Sequence, residues 1–183
     1  AAEESPTDMV KVLVSDLKKA VQKDQASIQS SPLKLYETVQ KVLMPKIALE
    51  KMAQRTLGPL WGKASVSQKK AFVTGFSKML TKMYAAGLMK VMNYEFRVYP
   101  LRGNAWKHEQ SVSVSGQIVP KNGGSPSRVT YYMTKVNGHW EIYDVAVEGV
   151  SFAKTFHEQF ASFSDMKTLL AKIQKLNSKT FKK

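Results

Sequence analysis

The sequence predicts an α+β fold, with helices packed on one face of a curved antiparallel sheet. Three observations predict it. A 3.6-residue apolar period dominates to about residue 92, a period of two takes over at about residue 94, and the helical period returns after about residue 151. A chain of 183 residues with 43% hydrophobic and 10% aromatic content suits one packed domain and is too short for two full-sized ones. The reading is one domain over 1–183, helical across 7–92, a sheet across 94–148, and closing helices across 152–177.

Each element follows from its pattern. Met9, Leu13, Leu17 and Val21 recur at four-residue spacing and predict an amphipathic helix over 8–24. Ser31-Pro32 supplies a cap and a first-turn proline for a second helix carrying Leu35, Tyr36, Val39, Val42 and Leu43, which Pro45 ends. A third helix runs over about 47–57 and stops at Gly58-Pro59. The longest helix is predicted over about 67–92 with Ser67 as N-cap, its stripe formed by Phe72, Phe76, Met79, Leu80, Met83, Gly87 and Val91.

From Asn93 onward, Tyr94, Phe96 and Val98 alternate with polar neighbours, as in a strand buried on one face. Val112, Val114, Gly116 and Ile118 repeat that alternation, and Val129 to Val136 return as a third strand. Asn137-Gly138 makes a tight hairpin into Trp140 to Val147. Along this fourth strand the apolar parity slips, since Trp140 and Ile142 share one face and Val145 and Val147 fall on the other. A bulge near Tyr143-Asp144 accounts for the slip. Two helices close the chain, over about 152–163 and about 166–177.

The formal charge is +14, from 28 Lys+Arg against 14 Asp+Glu. It admits nucleic acid, an anionic membrane surface or ordinary solvated faces as its reason. Lysine is spread along the chain, and only Lys175, Lys179, Lys182 and Lys183 look like a basic tail. The absence of cysteine removes disulfides, thiolate metal sites and Cys nucleophiles. No apolar run approaches the roughly 18 residues of a membrane span; the longest, Met83 to Met89, is bracketed by Lys82 and Lys90. The opening Ala1-Ala2-Glu3-Glu4, without Met, is what cleavage at a small-residue signal-peptidase site leaves, and it sets an expectation of export.

Motifs for chemistry are sparse. Gly58 to Ala64 resembles a phosphate loop but is one residue short between its glycines, has Ala64 in place of the magnesium-binding hydroxyl, and follows a helix. His108, His139 and His157 are scattered, none with a second ligand at helical or hairpin spacing, so no metal is expected. Asp144 and Glu148 flank the bulge and the final loop, and either can be written as a general base in a small cone-like enzyme. The competing reading has Asp144 accepting hydrogen bonds around the bulge and Glu148 capping the turn before Gly149. Arg102-Gly103-Asn104-Ala105 does not continue as a sheet-borne RNA motif, so no nucleic-acid partner is expected. What remains is apolar: 8 Phe, 7 Tyr, 9 Met and 3 Trp, which build either an ordinary core or a cavity for a hydrophobic ligand.

Four blocks, taken in order, carry a resemblance. They are Ser31-Pro32 with Tyr36, Val39, Leu43 and Pro45; Ala53, Leu57-Gly58, Trp61, Ala64, Gln68, Phe72, Phe76, Leu80 and Tyr84; Trp140, Tyr143-Asp144-Val145 and Glu148-Gly149-Val150-Ser151; and Phe156, Phe160, Leu169-Leu170 and Leu176. Over residues 7–177 the chain resembles the MlaC family, also called the toluene-tolerance family of periplasmic phospholipid-binding proteins. It departs from the family pattern at Gly62, where a basic residue is common, and at His157, where Arg is common.

The resemblance implies an NTF2-like sheet-and-helix cone enclosing an apolar cavity. It implies a periplasmic, non-enzymatic carrier, exported with a cleaved signal peptide, with phospholipid as bound ligand and no cofactor. It further implies shuttling between an inner-membrane ABC transporter with an MCE-type subunit and an outer-membrane lipoprotein–porin complex, with transient contact to a membrane surface, to maintain outer-membrane lipid asymmetry. On that reading the lipid-binding wall comprises Phe72, Phe76, Leu80 and Tyr84 of the long helix and Phe96, Val98, Val114, Val145 and Val147 of the sheet. Val150, Phe152, Phe156 and Phe160 complete it. Val150→Glu, an unpaired carboxylate among acyl chains, is the direct test of that wall.

Overall fold

The computed structural model describes residues 3–179; Ala1, Ala2 and the basic-tail residues Lys182 and Lys183 lie outside the described residues. Helices α1 (Pro6–Lys23), α2 (Gln25–Ser30), α3 (Pro32–Val42), α4 (Leu49–Leu57), α5 (Pro59–Lys63) and α6 (Val66–Val91) precede the sheet. Strands β1 (Glu95–Val98), β2 (Ser111–Val119), β3 (Ser127–Val136), β4 (His139–Val147) and β5 (Val150–Ser151) follow, and α7 (Phe152–Phe160) and α8 (Met166–Asn177) close the chain. The helix–sheet–helix order is the predicted one. The additions, α2, α5 and β5, are each too short to show a period.

Caps fix the helix starts. Ser5 accepts from the Asp8 amide at 3.1 Å ahead of Pro6, and Ser31 accepts from the Lys34 amide at 3.4 Å ahead of Pro32. The long helix begins two residues earlier than predicted, at Ser65 rather than Ser67. Gln68 is the reason: Ser65 Oγ accepts from the Gln68 amide at 3.1 Å while Gln68 Oε1 accepts from the Ser65 amide at 3.0 Å, a reciprocal capping box. Gly58 ends α4 at φ +57°, and a Cβ there would stand 2.8 Å from the His157 ring, whose Nδ1 lies 3.1 Å from the Thr56 carbonyl. The phosphate-loop look-alike is therefore the corner joining α4 to α5.

The five strands form one open antiparallel meander in the order β1-β2-β3-β4-β5. Tyr132 pairs with Asp144 and Met133 pairs with Ile142, so Tyr143 is an extra residue in β4. The predicted bulge is present. Because of it, Trp140 and Ile142 before the extra residue, and Val145 and Val147 after it, all pack against the same inner core, while the Tyr143 ring lies 6.3 Å from Tyr132. The outer face at this point carries Lys51 Nζ 4.2 Å from the Tyr143 ring centre and Arg55 at 5.1 Å. Glu148 and Gly149 turn β4 into β5 with φ of 51° and 79°; the strained Glu148 is held by its Oε1, which accepts from the Arg128 amide at 2.5 Å.

Two cores result. One joins α1 to the inner sheet face around Val10, Leu13, Val98, Val114 and Met133. The other lies among α4, α6, α7 and α8 and is aromatic, with Phe72–Phe76, Phe76–Phe156 and Phe156–Phe160 ring centres at 5.1, 5.4 and 5.8 Å.

An apolar cavity between the long helix and the sheet

The side chains of α6 divide lengthwise. Its first half commits Phe72, Phe76 and Met79 to the aromatic core. Its second half, from Leu80 through Leu88 to Val91, faces the sheet across a hollow of about 360 Å³. Val10, Leu13 and Leu17 of α1 and Val39 of α3 are its buried floor. Val129 and Tyr131 of β3 and Ile142, Val145 and Val147 of β4 form the sheet wall. The segment after α3 is held to that wall by the Ala48 amide, which donates to the Ile142 carbonyl at 2.8 Å, bringing Ile47 and Met52 to the floor.

The mouth is marked by lining residues that remain partly open: Tyr84, 38% exposed, with Phe96 and Phe152 half-buried. The rings of Tyr84 and Phe152 lie 5.2 Å apart at the junction with the aromatic core. Gly87 also lines the hollow, and a Cβ added there would meet nothing within 4 Å. Among the described residues no charged side chain is part of the wall. Of its hydroxyls, Thr81 Oγ1 donates to the Ser77 carbonyl at 2.9 Å and accepts from Gln40 at 2.7 Å. Burial pushes the Tyr131 phenol up to about 12, so it stays protonated. A cavity of about 150 Å³ admits benzene. In proportion, one of about 360 Å³ takes about 14 carbon-sized atoms, the scale of one acyl chain.

Of the residues expected on the wall, Leu80, Tyr84, Phe96, Val145, Val147 and Phe152 are there. The other seven lie outside it. Phe72, Phe76, Phe156 and Phe160 fill the solid aromatic core, each with at most 7% exposure. Val98 and Val114 are buried where α1 packs on the sheet. Val150 is 60% exposed on β5, the two-residue edge strand paired to β4. The sequence reading assigned no cavity role to α1, α3, Ile118, Tyr131 or Ile142; the α1 stripe was visible as a helix face, but periodicity does not distinguish a packed neighbour from an open space.

Neither candidate base lines the cavity. The Asp144 carboxylate is 4% exposed and accepts from the Val145 amide at 2.8 Å, the Ala153 amide at 3.0 Å and the Ser151 hydroxyl. It ties the bulge to the first turn of α7, where negative charge is favoured. Glu148 is engaged with Arg128, by its backbone amide and by an exposed ion pair at 3.8 Å. Among the described residues no group of three or more His, Asp or Glu is placed to hold a metal, and no helix is long and apolar enough to cross a membrane. A second depression, of about 560 Å³, lies on the outer sheet face over Trp106, Tyr132 and Tyr143 and includes Arg102 and Glu109.

A bulged meander and its covering helices around an uncharged hollow define a small α+β protein of the apolar-cavity class. The family described as MlaC protein matches residues 11–178, and the chain belongs to that family. It is 25% identical over 161 residues to the toluene tolerance protein ttg2D of Pseudomonas putida, covering 87% of this chain and 73% of that one. It is 24% identical over 178 residues to the intermembrane phospholipid transport system binding protein MlaC of Haemophilus influenzae, covering 94% and 82%. A phospholipid-binding protein of Ralstonia solanacearum, solved in complex with a phospholipid, shares the fold with TM-score 0.84 at 23% identity, over 96% of this chain and 98% of the other.

Proposed function

We propose that this chain is a phospholipid carrier of the periplasm. It holds acyl chains in the apolar hollow and moves them between an outer-membrane lipoprotein–porin complex and an inner-membrane ABC transporter with an MCE-type subunit. The observation that carries the reading is the uncharged cavity of about 360 Å³, open at Tyr84, Phe96 and Phe152, in a chain of the MlaC family. Two acyl chains of about 30 methylenes, at about 0.8 kcal/mol each, make the gross cost of exposing one phospholipid to water more than about 20 kcal/mol. Unaided crossing of an aqueous gap is correspondingly slow. The carrier needs a cavity close to the bilayer in free energy, because a much stronger one retains its load.

No catalytic step enters this account. Commitment of Asp144 to three donors, away from the cavity, supports a structural carboxylate over a general base. The net charge of +14 supports brief docking on anionic membrane or partner surfaces, weakened by salt. Organic extraction of the purified protein followed by mass spectrometry tests the core of the reading. Phospholipid is expected in near-stoichiometric amount. A lipid-free extract from protein that also fails to take phospholipid from vesicles overturns it. Lipid transfer between vesicles carrying the two membrane complexes tests the shuttle, and cell fractionation tests the compartment.

A further inference from the structure

Three hydroxyl-bearing side chains line the cavity. Thr81 has partners on both sides, and Tyr84 is 38% exposed at the mouth. Tyr131 differs from both. It is 8% exposed, sits in the central strand between Val114 and Val145, lines the hollow, and its hydroxyl has no hydrogen-bond partner among the described residues. The buried polar side-chain atoms without partners among the described residues, Trp140 Nε1 and Asn177 Oδ1, belong to residues outside the cavity wall, whereas the Tyr131 hydroxyl keeps accessible surface. Tyr84 also lacks a hydroxyl partner but sits at the mouth; among the described lining residues Tyr131 is thus the unanswered donor within the hollow. In the empty protein water can reach this hydroxyl, but a fixed water needs two to four polar partners and the wall around it is mostly aliphatic, so a ligand oxygen is the better-held partner.

We propose that the Tyr131 hydroxyl is the polar anchor of the cavity, donating a hydrogen bond to a carbonyl oxygen of an acyl ligand. That carbonyl belongs either to the ester of a glycerolipid or to the carboxyl of a fatty acid. The inference rests on the carrier reading and adds to it a chemical selection: ligands whose chains end in a carbonyl or carboxylate give the phenol its better acceptor, and alkyl ethers or alcohols give it a weaker one. It also fixes how far a ligand enters, since the carbonyl comes to rest at the centre of the sheet. A buried phenol held protonated, as this one is, serves as a donor across the physiological range.

The test is Tyr131→Phe, which keeps the ring and removes the hydroxyl. Delipidated wild type and variant are titrated with a dipalmitoyl phospholipid, its dihexadecyl ether analogue, palmitate and hexadecanol, and the empty proteins are melted. Wild type is expected to favour the ester over the ether, or the acid over the alcohol, by about 5-fold, and the variant to bind each pair equally. The pair that responds identifies the source of the carbonyl. The empty variant should melt at about the same temperature, because the hydroxyl makes no hydrogen bond to the described residues that its removal would cost. Equal preference ratios in the two proteins, or a lower melting temperature with unchanged ratios, overturn the anchor. If wild type binds none of the four, the carrier reading falls with it.

Discussion

Replacing Val145 with glutamate puts a carboxyl group on the cavity wall beside Tyr131. In the empty protein the half-buried position near the open side leaves that carboxyl hydrated, at a pKa of about 4.3. A bound acyl chain removes the water, and an unpaired charge against methylenes costs more than taking up a proton. The penalty is therefore capped by the cost of protonation. At pH 7 that is about 2.7 pH units at about 1.36 kcal/mol each, or about 3.7 kcal/mol, an affinity loss of about 500-fold. At pH 5 the same sum gives about 0.7 units and about 1 kcal/mol, a loss of about 5-fold. Phospholipid binding to the delipidated variant, followed by a fluorescent-lipid titration at both pH values, reads the effect, with Val145→Gln as the uncharged comparison. The matched substitution Val150→Glu, at a position 60% exposed, keeps its carboxylate in water in both states and should leave affinity within about 2-fold. A Val145→Glu loss that is equal at pH 7 and pH 5, or smaller than that of Val150→Glu, refutes the reasoning.

Phe76→Ala empties a site 1% exposed in the aromatic core, so denaturant unfolding should show a loss of about 3–5 kcal/mol, while lipid affinity under native conditions changes little; a large affinity loss at intact fold would contradict the solid-core placement. Asp144→Ala removes the acceptor of three hydrogen bonds between the bulge and α7 and is expected to cost about 3 kcal/mol in the same assay; a cost below about 0.5 kcal/mol would remove its structural role. Asp165 caps α8, and the Thr168 amide bonded to it holds its carboxyl below the ordinary value of 3.8. Its stabilisation is therefore complete at neutral pH and lost as pH falls through the folded-state value. Asp165→Ala should lower Tm at pH 7, and the gap to wild type should close at strongly acidic pH; a gap constant down to pH 2 would assign the effect to something other than charge.

Periodicity made most of the fold legible, and its limits explain the rest. The strands β1 to β4 announced themselves by alternation, and the parity slip between Ile142 and Val145 located the bulge. The strand β5 has two residues and α5 has five, below the length at which any repeat can be seen. The cavity was harder to read. Phe72, Phe76, Leu80 and Tyr84 form one continuous helical stripe, yet the first two are enclosed among Phe156 and Phe160 while the last two, touching that core on one side, also border the hollow. A stripe records that a face turns inward and says nothing of whether a neighbour fills the gap. Ala85 and Gly87, small residues within the cavity-facing stretch of α6, were the available hint. Val150 lies at the other extreme: it follows the turn where Glu148 and Gly149 take left-handed backbone, is exposed on β5, and does not line the hollow.

The extra residue at Tyr143 has a consequence for how this chain can vary. Side-chain exchanges along the inner face alter the lumen's shape by small steps, each survivable. Inserting a single amino acid between Ile142 and Val145 is a different kind of event: it shifts the pairing parity and rotates Val145 and Val147 out of the lumen together, whereas deleting Tyr143 only removes the bulge and leaves both facing inward. The container can be resculpted residue by residue, but one added residue in that short stretch turns the far half of the strand inside out.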